Sequence, residues 1–162
     1  VPVVGRAELV ADSALVGQGV VVNSPGWEQQ LEANKRDYAL AFVQRQRFTD
    51  AYPEALIPTE FVARLNQNTG GALTQAEVDA LAAELSADQT AQGRASVLRK
   101  VAENAEVDRR EKNRAFVLMQ YFGYLRRNPS DAPEANLNYA GWNFWLVKAF
   151  LDSSEYRQRF GQ

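Results

Sequence analysis

Apolar residues recur along this chain at three- and four-residue intervals. The strict alternation of a half-buried strand is almost absent, so the pattern predicts an all-α fold. Residues 1–23 mix apolar positions with Gly5, Gly17 and Gly19; they predict a short helix over 7–15 and then an extended run over 19–23. Ser24 and Pro25 read as a helix start, a capping hydroxyl followed by a proline whose missing N–H is harmless in a first turn. The helix expected there is long, residues 26–51, with Trp27, Leu31, Tyr38, Phe42 and Phe48 turned inward and Pro53 ending it. Thr59 opens the next helix, with Phe61, Val62 and Leu65 on one face. Asn68, Thr69, Gly70 and Gly71 stop it through backbone freedom that glycine supplies. Thr74 and Glu77 fit a reciprocal capping box ahead of Val78, Leu81 and Leu85, and Ser86 and Gln89 repeat that spacing. A helix through Val97, Leu98 and Val101 follows.

The densest apolar stretch is residues 113–146, a helix from near Val107, a polar loop rich in turn residues, and an aromatic return. The chain holds eight Phe, six Tyr and three Trp, and eight of these rings fall between Phe116 and Trp145. Only Gln120 and Gly123 interrupt the apolar run over 115–125, which predicts a helix buried on every side. Arg126 and Arg127 suit the negative pole of its C-terminus, and Asn128 and Pro129 forbid continuation.

Composition narrows the chemistry. The chain has 162 residues, enough for one sizeable core or two small helical modules. A hydrophobic content of 46% against 23% charged residues is the balance of a folded domain. A net charge of −2 gives no general attraction to nucleic acid or anionic membranes. There is no Cys and no His, which removes disulfides, thiolate chemistry, the usual zinc sites and imidazole acid–base catalysis together. No window reaches the length of a membrane-spanning helix. The chain starts at Val1 and reads as a fragment or mature segment of something longer.

Windows 39–48, 98–107 and 147–156 carry apolar residues at matching offsets. Phe61-Val62 and Phe116-Val117 repeat a helix start 55 residues apart, although the later windows are only 49 apart. Stacked units that cannot bury a face alone account for such a pattern. The chain therefore reads as an N-terminal segment 1–56 ending a preceding unit, a helical unit 57–107 and a second unit 108–162. The second unit passes from Leu146 directly to Val147 where the first has a loop and half a helix. Residues are expected to be missing there, and a normal Cα separation of ~3.8 Å across that junction would refute it.

At residues 115–146 (AFVLMQYFGYLRRNPSDAPEANLNYAGWNFWL) and 147–161 (VKAFLDSSEYRQRFG) the chain resembles a family. It is the bacterial extracellular helical domain of unknown function related to phycobilisome-linker domains, in the variety common in large acidobacterial surface proteins. Tyr124, Leu125, Arg126, Arg127, Pro129, Gly141 and Trp145 carry the signature; where the family usually has glycine, this chain has Arg126. The resemblance covers residues 27–160. It implies a compact bundle of tandem linker-like helical repeats with long polar loops, no established enzymatic activity, and a surface or periplasmic interaction role. Relatives usually carry a spacer between the tryptophan-leucine pair and the following helix, which agrees with the gap expected at Leu146.

Two chemical readings compete with that role. Asp131 and Glu134 lie beside aromatics, and paired carboxyls flanking a stacked sugar are the glycosidase arrangement. Carboxylates in a Pro-rich loop ordinarily serve turns and helix starts, however, and the same loop lacks the regular spacing of a calcium site. Arg109, Arg110, Lys112 and Arg114 interleave with Glu106, Asp108 and Glu111, the mixture of a solvated helix face rather than a phosphate strip. Trp27, Trp142 and Trp145 serve the core when buried and a partner when exposed.

The sequence thus points to a non-enzymatic, extracytoplasmic scaffold or linker module without cofactor or metal. It would belong to a surface protein or to a membrane-associated, for instance photosynthetic, complex. Arg126, Arg127, Asp131, Glu134, Tyr139, Trp142 and Trp145 are the candidate contact residues for other subunits or adjacent domains. A carbohydrate-binding module is the second reading and a glycoside hydrolase using Asp131 and Glu134 the third. Nucleic acid is not an expected partner.

Overall fold

The computed structural model describes residues 4–129 and 151–161, and among these every regular element is helical, as the spacing predicts. Val10–Asp108 form one compact unit, and Pro2–Leu9 with Arg109–Gln162 form another. The junction of Leu146 and Val147 lies outside the described residues.

The first unit holds the end of α1 (Arg6–Val16), then α2 (Trp27–Val43), α3 (Gln46–Ala51), α4 (Pro58–Asn68), α5 (Gln75–Ala87), α6 (Ala91–Ala102) and the first residues of α7 (Ala105–Gln120). Its core gathers Val43, Phe48, Tyr52, Phe61, Val62, Leu65, Leu81, Leu85, Val97 and Val101. Phe61, Val62 and Val97 are wholly excluded from solvent, each worth about 1.5–3 kcal/mol of transfer free energy.

The helix expected over 26–51 is broken. Arg45 is extended (φ −65°, ψ 139°) between α2 and α3. On an unbroken helix Phe48, six residues after Phe42, would face away from it. The break instead brings Phe48 within 5.7 Å of Phe42, stacks it on Tyr52 at 4.6 Å and sets it edge-on to Phe61 at 6.2 Å. Arg45 holds the bend: its guanidinium donates to both carboxylate oxygens of Asp12 at 3.0 and 2.6 Å and lies 5.0 Å over the Phe42 ring. Tyr38 donates its hydroxyl to the same carboxylate at 2.8 Å. Trp27, Leu31, Tyr38 and Phe42 are only half-buried, and Ala39 and Val43 take the inner positions of α2.

Three local expectations fail in the same region of chemistry. Ser24 donates its hydroxyl back to the Val21 carbonyl, and left-handed Gly26 precedes α2 in its place. Ser86 lies inside α5, donating to the Ala82 carbonyl, while Thr90 precedes α6 and donates to Asp88 through N–H and hydroxyl. Residues 19–23 form turns rather than an extended run. Small hydroxyl residues bond their neighbours as readily as they cap, and the backbone around them decides which. The box of Thr74 and Glu77 forms as expected, and Asn66 closes the preceding turn by accepting the Leu73 N–H at 2.9 Å, with Gly70 and Gly71 both left-handed.

Arg94 is the unit's buried cation. From α6 it donates to the carbonyls of Tyr52 (2.9 Å), Pro53 (3.0 Å) and Glu54 (3.0 Å), and it lies 5.0 Å over the Phe61 ring. The chain leaving α3 has no helical partners for these carbonyls, so a planar fork of donors satisfies them from across the core.

In the second unit α7 continues into a π-helical turn, Tyr121–Leu125, and α8 (Ser154–Phe160) packs beside it. Val117, Tyr121, Phe122 and Leu125 are buried, with Leu9, Leu118, Tyr124 and Tyr156 packed around them. The expectation of a helix buried on every side is corrected. Phe116 is 38% and Met119 52% exposed, while Val117, Tyr121, Phe122 and Leu125 turn inward. Arg6 ties the start of α1 to the turn, donating its Nε to the Phe122 carbonyl at 3.2 Å and its backbone N–H to Asn128 at 2.7 Å.

Two outcomes test this account. Arg94→Lys replaces a fork by a single ammonium and should lower the unfolding free energy by about 2–4 kcal/mol in urea titrations, despite keeping the charge. The Arg45 and Tyr38 hydrogen bonds hold the Asp12 carboxyl below its ordinary value, Arg45 contributing most. Its contribution to stability is therefore present above about pH 4 and lost as pH falls through the lowered value. Asp12→Asn should be less stable than the parent at pH 7, with the difference closing in matched urea titrations as pH falls through the lowered carboxyl value.

Candidate functional site

Of the seven residues singled out from sequence, the described structure places Arg126 and Arg127; Asp131, Glu134, Tyr139, Trp142 and Trp145 lie outside it. Both arginines follow the π-helical turn, where the last carbonyls of α7 need donors. Arg127 donates from Nε and an Nη to the two oxygens of Glu155, at 2.8 and 3.0 Å, and to the Asn128 carbonyl at 2.9 Å. Its guanidinium also lies 5.2 Å from the Tyr121 ring centre. The pair is about one-third exposed on each side, so its Coulomb term is screened and its value lies in fixed geometry.

Arg126 occupies the left-handed region (φ 51°, ψ 32°), the usual place for glycine after a helix. Its side chain lies 4.9 Å over the Phe160 ring, and Phe160 packs on Tyr156, which meets Tyr124 edge-on at 5.9 Å. The chain that departs at Pro129 thus starts from two arginines, each seated on the helix that begins at Ser154. Together they clamp the two ends of the segment that holds the other five residues. The expectation that these arginines bond the carboxylates of that segment falls outside the described residues; what is placed is their contact with Glu155 and Phe160.

The first unit offers a separate site that sequence alone does not mark. α2, α5 and α6 enclose an open cleft of about 470 Å³ with Ala39, Gly93 and Ala95 along it and charged residues around them. Lys100 donates to Glu84 at 2.6 Å, and Ser96 donates to the same carboxylate at 2.9 Å. Lys100 above all, with Ser96, holds the Glu84 carboxyl below its ordinary value, so it is a fixed anion at neutral pH and no reservoir of a proton. Arg99 pairs with Glu32 and with Glu103, the latter at 3.1 Å, and Lys35 reaches Glu103 at 3.3 Å. These charges tie α2 and α5 to α6. Among the described residues no group of carboxylates is arranged to hold a metal ion, and no helix is long and apolar enough to cross a membrane.

No family model, curated protein or solved structure matches this chain.

The geometry at Arg126 makes an ordering that differs from the usual one. Arg126→Ala loses the ring contact and keeps the backbone cost, whereas Arg126→Gly loses the contact and removes that cost. The glycine variant should be the more stable by about 1 kcal/mol in thermal or urea unfolding.

Proposed function

We propose that this chain is a non-enzymatic scaffold module that presents residues 130–150 to another protein. The observation that carries the reading is the clamp of Arg127 on Glu155 and Arg126 on Phe160, which closes the base of that segment. Fixing the residues on either side of a segment lowers the entropy lost when that segment is captured, so affinity follows from pre-organisation. The segment is rich in the residue types that dominate binding energetics, with Tyr139, Trp142 and Trp145. The resemblance read from residues 115–161 of the sequence would set it outside the cytoplasm, as part of a surface protein or as an accessory subunit of a membrane-associated, for instance photosynthetic, assembly. Adjacent domains or subunits are the partners of such a module.

Cross-linking of the chain in its native source separates the readings. A defined protein partner should be captured by the parent and lost in Trp142→Ala/Trp145→Ala, while Asp131→Asn/Glu134→Gln retains it. Hydrolysis of an oligosaccharide panel that disappears in the carboxylate double variant would replace the scaffold by a glycosidase. Retained partner capture by the tryptophan double variant would remove the segment from the contact.

A further inference from the structure

The cleft between α2, α5 and α6 has an apolar floor and a rim whose charges do not all meet. Ala39 of α2 and Ala95 of α6 are buried along it, and their methyl groups leave the space above them open. Gly93 continues the floor along α6. A volume of about 470 Å³ lies within the range of small-ligand pockets.

Most of the surrounding charge is spent internally. Lys100 pairs with Glu84 at 2.6 Å, Lys35 with Glu103 at 3.3 Å, and Arg99 with both Glu103 and Glu32. Lys35, Arg99 and Lys100 thus neutralise Glu32, Glu84 and Glu103. Two lining residues stand outside that balance. Arg36 on α2 meets neither a carboxylate nor another acceptor among the described residues. Asp88, which ends α5, meets no cation among them. Thr90 donates its N–H and its hydroxyl to one oxygen of Asp88, at 3.1 and 2.6 Å, and Oδ2 is left without a described donor. The Thr90 hydroxyl, then its N–H, holds this carboxyl below its ordinary value, so it is an anion at neutral pH. Gly93 admits the carboxyl to the floor, since its carbon stands 2.9 Å from where a Cβ on Gly93 would be.

We propose that this cleft binds a small apolar zwitterion, a free amino acid or short peptide, with its carboxylate on Arg36 and its ammonium on Asp88. The charges select that class. An organic anion would satisfy Arg36 and bring a like charge towards Asp88, and an amine would do the reverse. A ligand bearing both groups satisfies both residues and leaves the three internal pairs intact. The guanidinium takes a carboxylate through two parallel N–H donors, and Asp88 Oδ2 has lone pairs for an ammonium hydrogen. The apolar side chain of the ligand covers Ala39 and Ala95, which fixes its orientation between the two charges. Binding is weak, because the cleft is open and both charged residues are exposed and screened. This inference does not rest on the scaffold reading, and residues 130–150 take no part in it.

The test is titration of the isotopically labelled 162-residue chain with leucine and with leucyl-alanine, followed by the amide NMR signals of Gly93, Ala95 and Ser96. At least one of the two should shift these signals saturably. Saturation by leucine assigns a free amino acid, and saturation by leucyl-alanine alone assigns a peptide. Acetylating the amine or amidating the carboxylate of the bound ligand should each weaken binding about tenfold. Arg36→Gln should weaken the free ligand about tenfold and leave the amidated one unchanged. Asp88→Asn, which keeps Oδ1 for Thr90, should do the same for the free and the acetylated ligand. Unchanged amide signals away from the cleft confirm that both variants fold. Absence of saturable shifts with both ligands overturns the proposal, as does binding that ignores the blocked ends or the two substitutions. Sensitivity to amidation and to Arg36→Gln alone would replace the zwitterion by an organic anion.

Discussion

The first unit depends on how closely α6 approaches the chain on either side of it. Gly93 lies so near the preceding turn that a Cβ there would fall 1.8 Å from the Asp88 carbonyl oxygen, a distance no side chain survives. The next residue, Arg94, is the one whose guanidinium enters the core and collects three carbonyls from 52–54. The two facts are connected. A helix set this close to the end of α5 carries Arg94 to the α3 exit. Burying a cation without a carboxylate is costly, and here backbone dipoles and the Phe61 face replace water. The carbonyls gain as much as the charge does, since they sit where no helix supplies donors.

The second unit meets the same difficulty, orphan carbonyls at a helix end, by exposed means. The π-helical turn loosens the backbone ladder, and Arg6 at the chain's other end and Arg127 just beyond the turn serve it or its flank. An arginine in left-handed backbone is tolerated because its side chain finds Phe160. Among its described residues, Val117, Tyr121, Phe122 and Leu125 are the buried ones, and aromatic and guanidinium contacts pack around them. One polar atom there is left over: the Gln120 side-chain oxygen is buried without a donor, while its amide nitrogen bonds the Phe116 carbonyl at 3.3 Å. Unsatisfied acceptors of this kind lower the stability of their surroundings.

Much of the helical layout was legible in the sequence because it rests on local physics. The Phe61, Val62 and Leu65 face, the Asn68–Gly71 stop and the box of Thr74 and Glu77 follow from spacing and backbone preference. The break at Arg45 was not legible, since it answers to Asp12, 33 residues away, and residues 38–48 taken alone are good helix formers. Ser24 and Ser86 were misread for a related reason: a hydroxyl that can cap can equally bond back, and sequence does not say which carbonyl is near. The apolar run over 115–125 exposed the limit of composition as a guide. Val62 and Val117, at matching places in the suggested repeat, are both fully buried, whereas Phe61 is buried and Phe116 is not. Hydrophobicity tells what can be buried, and the size of the neighbouring core decides what is. Of the candidate site, Arg126 and Arg127 were found from their position at a helix end. Their targets, Phe160 and Glu155, were not, because a pairing across roughly thirty residues leaves no periodic trace.

Arg94 and the arginine clamp illustrate opposite uses of a guanidinium. At the clamp, charged side chains remain partly wet and hold two distant parts of the chain in place, so their worth is positional. Arg94 is out of water, so its worth depends on all three carbonyls being in place, and losing one would leave a buried donor unpaired.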